Sequence, residues 1–231
     1  MLTIFWTDRR MPDYCVPERN AVALLTLSAQ RDFVEPGSPI KAHGGERARP
    51  ALRRLVEGFR AKGMPIFHAV RLYRPDGSNV DACRRQAVEE GMRFLMPGSL
   101  GSELLDDLKL NPSVRLNPDC LFGGRMQKIG PNEHAFYRPR WGAFYETTLE
   151  RHLRDLNVNT LVVCGLSFAT GTRATVYEAS ARDFRTVVVT DALASATQDG
   201  VRELGRMGVY LWSCDSCLDW LTGSQPPGVV A

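Results

Sequence analysis

Thr160-Leu-Val-Val-Cys-Gly-Leu-Ser-Phe-Ala-Thr-Gly-Thr-Arg-Ala-Thr-Val-Tyr-Glu-Ala179 is the stretch whose reading decides the fold. Its first six residues are an apolar run closed by glycine, the pattern of a strand buried on both faces. The spacing that follows predicts a helix over 171–183. Working outward, the same alternation recurs: a helix over 146–156, strands at 185–190 and 208–212, and helices over 197–206 and 215–221. Toward the amino terminus, Ala21-Val-Ala-Leu-Leu-Thr-Leu27 and the run at 64–70 read as two more buried strands. Between them Leu52, Leu55, Val56 and Phe59 stand at three- and four-residue spacing, so a helix is predicted over 49–62, with Gly63 as its stop. Strands alternating with helices mean an α/β chain: a three-layer α/β/α sandwich around a doubly wound, mainly parallel sheet. Residues 71–101 are polar, with a turn at Pro75-Asp-Gly77 and a short helix predicted over 82–91.

Composition is consistent with one domain. The chain has 231 residues, 44% hydrophobic and 24% charged, which excludes disorder, and its net charge of +3 makes nucleic acid a poor default partner. Each apolar run is interrupted before the roughly 18 residues a membrane-spanning helix needs, so no membrane role is expected. The apolar start at Met1 to Trp6 is too short for a secretory signal and meets Asp8, Arg9 and Arg10 at once, so a cytoplasmic location is expected. Six scattered cysteines read as reduced structural thiols, and Cys214-Asp-Ser-Cys217 has no second metal-binding pair, so no metal or other cofactor is expected. The expected organisation is an arm at 1–20, a domain at 21–222 and a tail at 223–231.

In such sheets ligands sit beyond the carboxyl ends of the strands. The strand-end residues are Ser28 to Phe33, His68 to Arg71, Arg138 to Phe144 and Gly165 to Arg173. Leu27-Ser-Ala-Gln-Arg-Asp-Phe33, Arg138-Pro-Arg-Trp-Gly-Ala-Phe144 and the segment from Gly165 to Ala179 resemble the three signature segments of the isochorismatase-like, or cysteine hydrolase, superfamily. Val189-Thr-Asp-Ala-Leu-Ala-Ser195 resembles its strand and loop after the long helix. The likeness is nearest to the N-carbamoylsarcosine amidase and ureidoacrylate amidohydrolase branch. For hydrolytic members the resemblance implies an Asp that acts as base, a Lys, and a Cys nucleophile at a helix start. Here Ser28, Arg138 and Gly171 stand at those three positions.

Each substitution removes something. Glycine cannot form a thioester. Isochorismatases, which resemble the family with glycine there, rely on the Asp, and a serine hydroxyl is a poor general acid or base near neutral pH. Arginine keeps the charge but not the compact, titratable ammonium, and its fork favours a carboxylate or phosphate. The leading expectation is therefore a pseudoenzyme: a non-catalytic or strongly diverged member that binds a small anionic, amide-like or carboxylate ligand. Arg71, Phe33, Trp141 and Phe168 are the candidate contacts, with Arg74 and Arg140 at the edge. A second reading is an active hydrolase of a C–N bond using Ser28, His68 and Arg138, and a third is an oligomeric scaffold. The family resemblance also implies a homo-oligomer and a cis peptide near Ser167-Phe168. Asp32 is read as holding its loop, and Arg173 as pairing with Glu178 or Asp32.

Overall fold

The computed structural model describes residues 13–225, so the predicted arm and tail lie partly outside the described residues. Within it the arm is two short 3-10 turns, Asp13–Cys15 and Arg19–Ala21. Glu18 ties them down: its amide donates to Thr160 Oγ1 at 3.0 Å and its carboxylate meets Arg185 at 2.8 Å.

The strands are β1 (Val22–Leu27), β2 (Ile66–Val70), β3 (Gln127–Gly130), β4 (Glu133–Tyr137), β5 (Thr160–Gly165), β6 (Arg185–Leu193) and β7 (Tyr210–Trp212), in the spatial order 3-4-2-1-5-6-7. All neighbours are parallel except β3 and β4. The chain builds outward from β1 on one side through β2 and β4, then returns to β5 on the other. That reversal places the crevice beyond the ends of β1 and β5. The helices are α1 (Gly45–Ala61), α2 (Ala82–Glu89), α3 (Pro118–Phe122), α4 (Leu149–Asp155), α5 (Arg173–Ser180), α6 (Gln198–Gly205) and α7 (Cys214–Thr222). Among the described residues no helix is long and apolar enough to cross a membrane.

Alternate side chains of the buried strands serve opposite layers. Leu24 and Val162 join Leu52, Leu55 and Phe59 of α1 and Trp220 of α7. Leu25 and Val163 join Leu149 and Leu153 of α4, Val176 of α5 and Leu204 of α6. Burial on both faces is why these strands read as unbroken apolar runs. At the β1–β5 seam only glycine fits position 165: φ is +151°, and a Cβ there would lie 2.2 Å from the Leu27 carbonyl oxygen.

The sequence reading is corrected in four places. The antiparallel β3–β4 pair lies where no strand is predicted, because Glu133 and His134 break the apolar pattern. The helix predicted from 171 opens with a π-type turn, Phe168–Thr172, and its regular part ends at Ser180. No peptide bond among the described residues is cis, so the bond expected near Ser167-Phe168 is trans. Finally, α1 begins at Gly45, four residues before the predicted start, which leaves Pro50 inside the helix instead of in its first turn.

Pro50 has no N–H for the Glu46 carbonyl and its ring crowds that turn. Pro50→Ala is expected to stabilise the fold by about 1–3 kcal/mol, the helix-interior cost of proline less the unfolded-state entropy it removes. Urea unfolding would show a higher midpoint at unchanged slope. A lower midpoint would mean that the ring's packing outweighs the missing hydrogen bond.

Candidate functional site

Ser28, Arg138 and Gly171 arrive from three elements and meet. Ser28 follows β1 with φ +54°, a left-handed conformation uncommon outside glycine, and its amide donates to the Ala69 carbonyl at 3.0 Å. Arg138 follows β4, and its amide donates to the Val70 carbonyl at 3.0 Å. Its guanidinium crosses the crevice: Nη2 donates to Ser28 Oγ at 2.5 Å, and Nη1 donates to the carbonyls of Arg140 and Trp141 at 2.8 and 2.7 Å. Gly171 lies in the π-type turn beyond β5, where a Cβ would stand 3.1 Å from Arg138 Nη2. The arginine fork thus occupies the ground beside position 171 and holds the serine hydroxyl as well. All three residues are buried.

This guanidinium lacks a counterion. Among the described residues Arg138 forms no ion pair, and its Nε has no hydrogen-bond partner. Burial, and then the charge of Arg71, pull it down from its ordinary value to about 9, which still leaves it a cation at neutral pH.

Arg71 supports this centre from beneath and is itself buried. Its Nη1 donates to the Arg138 carbonyl at 2.5 Å and its Nη2 to Asp81 Oδ2 at 3.0 Å. Tyr73 donates its hydroxyl to the same carboxylate oxygen at 2.6 Å, and Arg84 lies 3.6 Å from it. Burial pushes the Tyr73 phenol up. Gln30 locks the Arg71 backbone on both sides, accepting from its amide and donating to its carbonyl at 2.8 Å each. Asp81 is thus shared between Arg71 and Arg84, Arg138 has no carboxylate in contact among the described residues, and the three guanidiniums leave this centre electropositive.

His68 does not join the group. Fully buried, it exchanges hydrogen bonds with Thr26 Oγ1 at 2.7 Å through Nδ1 and with Glu133 Oε1 at 2.9 Å through Nε2. Both ring nitrogens are committed, and Ser28 has a cation beside it where a serine nucleophile needs a base. Phe33 and Phe168, expected as ligand contacts, are packed in the two core layers instead. Arg71 is paired with Asp81, and Arg74 lies over the Phe122 ring with its carbon 4.5 Å from the centroid. Asp32 holds its loop as expected, accepting from the Leu95 amide at 2.6 Å. Arg173 pairs with Glu203 and not with Glu178 or Asp32.

Trp141 is 41% exposed and lines a cavity of about 570 Å³ with Arg85, Arg140, Tyr145, Cys83 and Asp81. Glu178 of α5 fixes the loop that carries it, accepting from the Phe144 amide at 2.8 Å. That approach requires Gly142, where a Cβ would fall 2.1 Å from Glu178 Oε2. Asp81 is absent from the sequence reading, its place just before a predicted short helix being the available signal, and Glu178, expected to pair with Arg173, instead anchors this loop. Burial pushes the Cys164 and Cys217 thiols well up and that of Cys214 to about 11, which disfavours their thiolates.

Comparison with known proteins places this architecture. Residues 123–207 match the model of the isochorismatase domain. The chain is 30% identical over 179 residues to a probable inactive nicotinamidase of Arabidopsis thaliana, covering 77% of this chain and 82% of that protein. It is 28% identical over 208 residues to the N-carbamoylsarcosine amidase of an Arthrobacter species, covering 87% of this chain and 72% of that one. Among solved structures, an isochorismatase family protein of Desulfovibrio vulgaris superposes with a TM-score of 0.73 at 29% identity, over 87% of this chain and 98% of that chain.

Proposed function

Since the chain belongs to the isochorismatase-like superfamily, we propose that it is a non-catalytic member, one that binds a small anionic, carboxylate-bearing ligand at the carboxyl edge of its sheet. The observation that carries this reading is the Arg138 guanidinium, buried without a counterion and bonded to Ser28 beside Gly171. A proton-transfer pair and a nucleophile are both missing from that spot, while an uncompensated cation is present. The Arabidopsis relative, named a probable inactive nicotinamidase, supports the same reading. A carboxylate near Arg138 would supply the charge-assisted partner that the fold withholds.

Calorimetric titration with small carboxylates, including N-carbamoylsarcosine, tests it. Saturable binding is expected, weakened at least about tenfold by Arg138→Met, the loss of one charged hydrogen-bonding partner. The variant should fold, because removing a buried unpaired charge lifts a desolvation cost. Absence of saturable binding, or binding indifferent to Arg138→Met, would overturn the reading.

A further inference from the structure

A second cavity, of about 370 Å³, opens between the first three turns of α1 and the end of β6, and shares no lining residue with the first. Arg47 and Arg54 stand on one wall, two helical turns apart and so on the same face of α1. Among the described residues Arg47 has no ion-pair partner. Arg54 pairs with Asp215, both side chains exposed at 53% and 72%, and an incoming anion can replace that pair at little cost. The facing wall carries Asp191, which uses Oδ1 to accept from the Cys214 amide at 2.8 Å and, among the described residues, has no hydrogen bond at Oδ2.

Two backbone irregularities border the same space. Pro50 interrupts the α1 hydrogen-bond ladder between the two arginines. Ser195 takes φ +58°, held there by its amide's 2.8 Å bond to the His43 carbonyl. Strained backbone of this kind collects at ligand clamps, where surrounding structure enforces it.

We infer that this cavity binds a small phosphorylated polyol, with the phosphate between Arg47 and Arg54 and a hydroxyl donating to Asp191. Two guanidinium forks match a phosphate dianion in charge and in geometry. Asp191 repels a second anionic group at the opposite end and accepts a hydroxyl, so a sugar phosphate fits better than a dicarboxylate. The site is independent of the Arg138 centre.

Calorimetry with ribose 5-phosphate, inorganic phosphate and ribose tests the assignment. Ribose 5-phosphate is expected to bind saturably and about tenfold more tightly than inorganic phosphate, and ribose not to bind. Arg47→Ala and Arg54→Ala, both at exposed positions, should each weaken ribose 5-phosphate about tenfold or more. Asp191→Asn should erase the advantage over inorganic phosphate, and Arg138→Met, which is expected to weaken carboxylate binding at its own centre, should leave the affinity for ribose 5-phosphate within about twofold. Failure of ribose 5-phosphate to bind at millimolar concentration would overturn the proposal. So would binding that survives loss of both arginines, or binding that disappears with Arg138→Met.

Discussion

Asp81→Ala is expected to destabilise the protein by about 3–5 kcal/mol, the cost of removing one partner from a buried ion pair. Asp81 is the buried carboxylate that meets Arg71 at 3.0 Å and accepts from Tyr73 at 2.6 Å, with Arg84 at 3.6 Å. Without it, Arg71 and Arg138 would be two adjacent buried guanidiniums with no compensating charge. Water would have to enter or the segment from Arg71 to Asp81 would have to open. For a chain of this length the loss corresponds to a melting temperature lower by on the order of 10 °C. Asp81→Asn, which keeps an acceptor for Tyr73, should fall between. A change within about 0.5 kcal/mol would show that these arginines are solvated and that the crevice floor is not the dry, electropositive centre described above.

The second large effect is expected at Glu133. This carboxylate is 2% exposed, and Arg60 reaches it through Nη2 at 2.9 Å while His68 meets it at 2.9 Å from the neighbouring strand. Burial alone would raise its pKa, but the hydrogen bond and charge of His68, with Arg60, hold it below its ordinary value of 4.5. A depressed folded pKa means that the carboxylate's contribution is fully present above its unfolded value and is lost as pH falls through the folded one. Glu133→Gln should therefore cost about 3 kcal/mol at neutral pH and flatten the acid limb of the stability curve. Urea unfolding at a series of pH values would show both. An acid limb that keeps its slope in the variant would assign that slope to other carboxylates.

These two residues also show where sequence reading stops. β1 and β5 were legible because both faces of each strand are buried, so nearly every residue had to be apolar. β4 was not, because Glu133 is tolerated in a buried strand only through partners 65 and 73 residues away, and no local pattern records them. The centre itself was readable through the family resemblance, which sets Ser28, Arg138 and Gly171 at fixed offsets within its signature segments, and the backbone register carries such offsets into space. What each side chain does there was not. Arg138 could have faced solvent or a ligand. The Ser28 hydroxyl, presented from a left-handed residue, and the carbonyls of Arg140 and Trp141 hold it inward. Phe33 and Phe168 looked like pocket walls by position in the chain, yet the two layers of core had first claim on them.

Hydrolysis by the unmodified chain is the most direct test of the central claim that this site has exchanged chemistry for a buried cation. Incubated with N-carbamoylsarcosine and nicotinamide and assayed for ammonia, the protein is predicted to release none above the buffer blank. Saturable release that Ser28→Ala abolishes would contradict the account, because it would require the hydroxyl held by Arg138 to act as a nucleophile.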